Sequence, residues 1–265
     1  MKNPLVVLFF AIVVAAPVIS LADQSQKTDT DKAKTEAQTQ AKDDEIKNNE
    51  EPERVVKSTE VIRDFAAMKE GAPRGLVEKA KAIVVIPNLV KAGLGLGGKH
   101  GEGLLSIKTG DTWSQPVPVK LTAGSIGWQI GVSSTDLVLL FMNDRNAAEI
   151  LDGEFTLGGE ANVAAGPIGR TGSAGTDAHF DAPIYSYSRS KGLFAGISVE
   201  GSKFYTDKDA IARMYGGGTT PQAIAAKPST PGTPGEELIV AIKKFVTGMP
   251  TQTGAAESET KVGKK

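Results

Sequence analysis

The sequence contains no cysteine, and only two of its 265 residues are histidine. The absence of cysteine excludes disulfide bonds, a thiol nucleophile and thiolate metal sites. It also excludes a lipoprotein anchor, because that anchor is attached to an N-terminal cysteine. Neither sign of charge is in clear excess, with 30 Lys and Arg residues against 31 Asp and Glu. This balance gives no electrostatic basis for nucleic-acid binding, so no nucleic-acid partner is expected.

Long apolar runs are scarce, and the longest one lies at the N-terminus. Leu5 to Ala16 is apolar, follows the positive Lys2, and precedes the small-residue cleavage pattern Ser20-Leu21-Ala22. About 12 residues are too few for a membrane span of about 20. Residues 1–22 therefore predict a signal peptide that is cleaved after Ala22, with an uncleaved anchor as the alternative. We expect a periplasmic or secreted protein, with peripheral attachment to a membrane left open.

Composition divides the rest of the chain into segments. Residues 23–51 are rich in Gln, Lys, Thr, Asp and Glu, which is typical of a disordered polar spacer. Residues 52–216 are predicted to form the folded domain. A Gly- and Pro-rich linker, 217–235, is expected to lead to a C-terminal amphipathic helix at 236–247. Residues 248–265 are predicted to be a disordered tail.

The first predicted helix of the domain runs from Glu53 to Met68. Val55, Ile62 and Phe65 recur at helical spacing and form an apolar stripe, with charged residues on the opposite side. Such a stripe can insert into the interface of a membrane. It can equally pack against a sheet of the same domain. The sequence leaves both alternatives open.

The region after this helix is dominated by strand patterns. Apolar and polar residues alternate over 117–123 and 126–132, whereas Leu137 to Met142 is apolar throughout, as in a strand that is covered on both faces. The face formed by Gly127, Gln129 and Gly131 indicates that another backbone or a ligand lies close. Short connections favour antiparallel pairing. We predict an α+β fold whose mainly antiparallel sheet curls into a barrel- or sandwich-like core, with short flanking helices.

Candidate catalytic and cofactor sites are few. Gly93, Gly95 and Gly98 match the letters of a dinucleotide-binding loop, but a strand pattern follows where that loop requires a helix. Asp177, His179 and Asp181 would share one face of a strand and could bind a metal. The alternative, which we favour, is a polar strand face at the edge of the sheet that is exposed to solvent. No nucleophile elbow is present. The sequence therefore predicts a non-enzymatic protein without a metal or other cofactor.

The stretch Tyr185 to Gly201, YSYSRSKGLFAGISVEG, has the most distinctive composition of the chain. Its Arg189 and Lys191 are flanked by serine hydroxyls, and this combination can hold a phosphate group. A turn with solvated charges is the alternative. We therefore treat Arg189 and Lys191 as candidate contacts to a lipid head group, alongside the apolar stripe.

Five motifs in order resemble the SYLF domain family. They are KAGLGLGGKHGEGLL from Lys91, WSQPVPVKLTAGSIGWQIG from Trp113, AAGPIGR from Ala164, YSYSRSKGLFAGISVEG from Tyr185, and MYG from Met214. The resemblance implies a non-enzymatic binding module, since members bind phospholipids, including phosphoinositides, and some bind and bundle filamentous actin. In lipid-binding members an amphipathic helix at the start of the domain takes part, which corresponds here to Glu53 to Met68. A phospholipid membrane surface is therefore the expected partner, with a protein partner as the alternative.

Overall fold

The computed structural model describes residues 50–68, 72–167, 181–190, 193–196 and 199–247. All of them belong to one compact unit of the chain. The predicted signal peptide and Asp177, His179 and Lys191 lie outside the described residues.

The described chain contains helices near both of its ends and, between them, two long strands and several short ones. In order, the elements are α1 (50–66), α2 (Arg74–Lys79), β1 (Ala82–Thr109), β2 (Thr112–Trp113), β3 (Val117–Phe141), α3 (Asp144–Asp152), β4 (Glu154–Thr156), β5 (Val163–Ala165), β6 (Ile184–Ser190), β7 (Leu193–Gly196), β8 (Lys203–Thr206), α4 (Lys208–Tyr215), α5 (Pro221–Ala225) and α6 (Glu236–Thr247).

The sheet is built on a long ribbon formed by β1 and β3. These strands pair antiparallel along almost their whole length, from Ala82 opposite Phe141 to Leu105 opposite Val117. At one end β3 also pairs with β6, and at the other end with β8, again antiparallel. Among the strands that the structure describes, β5 alone pairs parallel, with β6. The predicted α+β class with a curled, mainly antiparallel sheet is confirmed.

Side-chain alternation along the strands creates two hydrophobic cores, one on each face of the sheet. In β1, Ala82, Val84 and Ile86 lie in the first core, whereas Ile83 and Val85 lie in the second. The apolar run 137–141 divides in the same way, so this strand is covered on both faces as predicted. Helices α3, α4 and α5 contribute to the first core, and α1, α2 and α6 contribute to the second.

The ribbon curls so strongly that two parts of β1 touch. A Cβ atom on Gly103 would lie 2.0 Å from the carbonyl oxygen of Val85, and one on Gly101 would lie 2.5 Å from Ile86 Cγ2 and 2.9 Å from Leu89 Cδ1. Only glycine permits such an approach. The sequence indicated a close approach at the face formed by Gly127, Gln129 and Gly131, and the surroundings of these side-chain positions lie outside what the structure describes.

Replacing Gly103 with alanine tests the close contact between these two parts of β1. We expect Gly103→Ala to lower the free energy of unfolding by about 2 kcal/mol, since the neighbouring atom is backbone and cannot rotate away. Gly124→Ala is the matched control, because nothing lies within 4 Å of a Cβ at that strand position. Urea unfolding of both variants provides the measurement. Equal stability of the two variants would contradict the close contact between Gly103 and Val85.

Side-chain caps define several helix starts. Asn143 accepts a hydrogen bond from the Asn146 amide at the start of α3. Asp207 caps α4 by accepting from the Ala210 amide. The sequence missed α5, which lies within the predicted linker and buries Ile224 in the first core. Helix α6 has the predicted bounds and is buried in the second core.

Candidate functional site

The apolar stripe of α1 lies in the second core. Val55, Ile62 and Phe65 are only 6%, 0% and 1% exposed. The ring of Phe65 contacts those of Tyr187 on β6 and Phe245 on α6, at centroid distances of 5.0 and 5.2 Å. The stripe therefore packs on the sheet, which is one of the two alternatives left open by the sequence. In this structure it is not presented to a bilayer.

The other side of α1 is fixed to the sheet by a buried ion pair. Both terminal nitrogens of Arg54 donate to Asp207 Oδ2 at 3.1 Å, and one of them also donates to Glu102 Oε2 at 2.7 Å. The side chains of Arg54 and Asp207 are 4% and 1% exposed. A buried charge requires such compensation, because its desolvation is costly. The contact joins α1, β1 and the start of α4.

Asp207 is the centre of this network. Its Oδ1 lies 3.1 Å from Lys120 Nζ and accepts a hydrogen bond from the Ala210 amide at 3.2 Å. Burial by itself would raise the pKa of Asp207. The Ala210 hydrogen bond and the charges of Arg54 and Lys120 outweigh burial, so the pKa lies below its usual value. The carboxylate is therefore ionised at neutral pH.

A second arginine extends the network along α1. Arg213 on α4 donates to Glu51 Oε1 at 2.7 Å and lies 3.3 Å from Glu50. Sequence reasoning named none of these residues. Each is an ordinary charge on a helix or strand, and the partners are separated by up to 163 residues, so no local pattern reveals the pairing.

The network predicts an acid sensitivity of folding. Because folding lowers the pKa of Asp207, its ionised form stabilises the fold above the unfolded-state pKa of about 3.9. This contribution is lost as the pH falls through the lower pKa of the folded state. We expect the unfolding free energy to fall more steeply between about pH 5 and pH 2 in the original chain than in Asp207→Asn.

Urea unfolding at several pH values measures this slope. Asp111→Asn, in the exposed turn between β1 and β2, is the matched control and should keep the original slope. If Asp207→Asn also kept the original slope, Asp207 would not be the group that makes folding sensitive to acid.

Arg189, a predicted head-group contact, forms two ion pairs. Its guanidinium lies 2.7 Å from Asp136 on β3 and also pairs with Asp64 on α1. It therefore ties the C-terminal part of α1 to the sheet, and two carboxylates offset its charge. The structure does not bring Arg189 together with the apolar stripe on an exposed surface.

A groove lies between α1 and the first bend of β1. Its volume is about 280 Å³. Val90 is 40% exposed there, and the neighbouring Asn88 has a left-handed backbone with φ of 53°. The Asn88 amide donates to Asp136 at 3.0 Å, which fixes the bend. The groove is lined by Glu50, Glu53, Arg54, Lys57, Pro87, Asn88, Val90, His100, Gly101 and Glu102.

The described residues contain neither a metal-binding cluster nor a membrane-crossing helix. No group of three or more His, Asp or Glu side chains within them converges as a metal would require. No helix among them combines enough length and apolar character to span a bilayer. The groove beside α1, with its mixture of charged and apolar walls, is therefore our candidate site.

Comparison with known proteins shows which family the chain resembles. Residues 122–245 match the family model Ysc84, described as "Las17-binding protein actin regulator". The matched part of the chain is therefore similar to the SYLF (Ysc84) family, as the motifs indicated. The match continues beyond Gly216, where the motifs placed the end of the domain, and includes α5 and all but the last two residues of α6.

Several curated eukaryotic proteins are similar to the chain. An SH3 domain-containing protein of Schizosaccharomyces pombe is 38% identical over 60% of this chain and 37% of its own length. LAS seventeen-binding protein 3 of Saccharomyces cerevisiae is 35% identical over 57% of this chain and 34% of its own length. SH3 domain-containing YSC84-like protein 1 of Xenopus laevis is 30% identical over 60% of this chain and half of its own length. The chain thus matches about a third to a half of each relative.

Proposed function

We propose that this chain is a non-enzymatic protein-binding module, and that the groove between α1 and β1 receives the partner. The size and lining of the groove carry this proposal. A volume of about 280 Å³ is just below the usual range for small-molecule sites, but it accommodates one or two side chains of another protein. An exposed valine among charged residues matches the composition of a small protein interface.

The names of the relatives support a protein partner. The family model is described as a Las17-binding actin regulator, and one relative is named for binding LAS seventeen. Las17 and filamentous actin are therefore the first partners to test on this chain.

Binding to a phospholipid surface is the competing function. It requires α1 to offer Val55, Ile62 and Phe65 to the bilayer, but these side chains pack in the second core. Removing α1 from that core would break the ion pairs of Arg54 and Arg189 as well. This combined cost favours the protein partner over the membrane.

Co-sedimentation and pull-down with purified components test the proposal. We expect the full chain to bind purified Las17 or to pellet with actin filaments, and not to pellet with anionic vesicles at low salt. Val90→Asp should weaken the protein binding about tenfold or more, because it places a charge in the contact. Val240→Asp is the matched control, since Val240 is an exposed valine on α6, away from the groove.

Two results would overturn the proposal. One is binding to vesicles with none to either protein. The other is an equal loss of protein binding in Val90→Asp and Val240→Asp, which would place the partner outside the groove.

A further inference from the structure

The groove beside α1 exists because the curl of β1 brings two segments of this strand together. A Cβ on Gly101 would lie 2.5 Å from Ile86 Cγ2 and 3.4 Å from Leu89 Cα. Residues 87–90 therefore lie next to residues 100–102, and both segments line the groove together with the start of α1. An apolar surface at one segment and charged side chains from the others thus face the same space.

Carboxylates outnumber permanent cations in the lining of this groove. Glu50, Glu53 and Glu102 line it, and each of these side chains is partly or fully exposed to solvent. Arg54 and Lys57 are the permanent cations among the described lining residues. The contribution of these two cations to the potential in the groove depends on how far each is already compensated.

Both cations are compensated by carboxylates. Arg54 is buried and pairs with Asp207 and Glu51, neither of which lines the groove. Lys57 lies on the exposed side of α1, where its Nζ is 2.6 Å from Glu53 Oε1. Because the charge of Arg54 is offset from behind, the lining that faces the open space carries a net negative charge, which attracts a cationic group.

One oxygen atom of Glu102 can accept a further hydrogen bond. Its Oε2 accepts from Arg54 at 2.7 Å. Its Oε1 lies 3.6 Å from Lys120 Nζ and 3.9 Å from His100 Nε2, and both distances are too long for a hydrogen bond. Within the described part of the chain, Oε1 therefore has charged neighbours but no hydrogen-bond donor. A cation that entered the groove could donate to it.

We infer that the groove receives a lysine or arginine side chain from a basic segment of the protein partner. The methylene groups of that side chain lie on Val90, and its charged group reaches Glu102 Oε1. Long basic side chains combine an apolar stem with a charged end, and the lining of the groove offers a surface for each part. This inference rests on the proposed protein-binding function and adds the chemistry of the partner.

Fluorescence anisotropy with two labelled peptides of equal length tests the site on the full chain. One peptide consists of Lys, Gly and Ser, and the other consists of Asp, Gly and Ser. We expect the basic peptide to bind at low salt, with binding that weakens as salt is added, and the acidic peptide not to bind. Glu53→Gln together with Glu102→Gln should weaken binding of the basic peptide about tenfold, corresponding to about 1.4 kcal/mol.

The matched double variant is Glu200→Gln with Glu237→Gln. It removes two exposed carboxylates that do not line the groove, and it should change binding of the basic peptide less than about twofold. Glutamine at position 102 keeps an oxygen that can accept from Arg54, so the fold should be retained. Circular dichroism verifies this, and Glu53→Gln alone, at an exposed side chain, provides a second variant that should weaken binding in the same direction.

The sign of a charge placed at Val90 provides an independent test with the proposed protein partners. A lysine at this position repels an incoming basic side chain, whereas an aspartate attracts it while removing the apolar contact. Val90→Lys should therefore weaken binding of Las17 or actin at least about threefold more than Val90→Asp does. A partner group without charge would be affected equally by the two variants.

Three outcomes would overturn the inference. They are no binding of the basic peptide at low salt, equal weakening in the two double variants, and an effect of Val90→Lys no larger than that of Val90→Asp. Failure of the inference is distinguishable from failure of the proposed function. Equal loss of Las17 or actin binding in both Val90 variants, with Val240→Asp unaffected, would keep the groove as the protein-binding site and exclude only the basic side chain.

Discussion

Replacing Phe65 with alanine should lower the free energy of unfolding by about 3–5 kcal/mol, the usual cost of removing a fully buried aromatic ring. Phe65 is 1% exposed and packs between Tyr187 and Phe245. The cavity would therefore lie where α1, β6 and α6 meet, and a marginally stable domain would lose much of its stability. Chemical unfolding measured by circular dichroism gives the value.

Val56→Ala is the control, since Val56 lies on the same helix but is 54% exposed. Its effect should stay within about 0.5 kcal/mol. If Phe65→Ala prevents folding altogether, Phe65→Leu provides a milder test with a cost of about 1–2 kcal/mol. Equal, small effects at Phe65 and Val56 would mean that α1 is not part of the core.

Replacing Arg54 with methionine should cost about 3–5 kcal/mol, because Asp207 and Glu51 lose a buried partner. Methionine keeps most of the length of the side chain, so the loss reports the charge rather than a cavity. The double variant Arg54→Met with Asp207→Asn should recover part of this loss, since it removes the buried carboxylate that has lost its arginine partner.

Arg145→Met is the matched control for Arg54→Met. Arg145 also pairs with a carboxylate, that of Glu149, but it is 87% exposed. Its loss should cost less than about 0.5 kcal/mol. A similar loss of unfolding free energy in Arg54→Met and Arg145→Met would contradict the conclusion that the buried ion pair of Arg54 holds α1 against the sheet.

The fold class could be predicted because its signals are local. Alternation of apolar and polar residues gave the strands, and the unbroken apolar run at 137–141 correctly predicted a strand with a core on each face. The spacing of Val55, Ile62 and Phe65 likewise gave α1. The residues against which that stripe packs could not be predicted, because Tyr187 and Phe245 lie 122 and 180 residues after Phe65 in the chain.

Two of the family motifs meet in a packing contact. Gly166 of AAGPIGR has no room for a side chain, since a Cβ there would lie 2.1 Å from the ring of Tyr187. Tyr187, from YSYSRS, donates a hydrogen bond to the carbonyl oxygen of Pro167 at 3.0 Å. Two separate motifs thus form one contact. Their distinctiveness identified the family without revealing the partner.

The candidate groove was not predictable from the sequence. It depends on the bend at Asn88, where the β1–β3 register shifts between Ile86 and Leu89, and on the ion pair between Arg54 and Asp207, 153 residues apart. A bulge and a long-range charge pair leave no periodic signal. The composition of its motif made Arg189 a candidate contact residue. Its carboxylate partners on α1 and β3 are visible only in the three-dimensional structure.

Hydrogen exchange at individual amides of α1, measured with and without anionic vesicles, tests the central claim most directly. The claim is that α1 is a fixed part of the core and that the groove beside it binds protein. It predicts strong protection at Ile62 and Phe65 that vesicles leave unchanged, because opening there requires loss of the second core. Vesicle-dependent loss of protection at both residues would show that α1 leaves the core for the membrane, and would contradict the account.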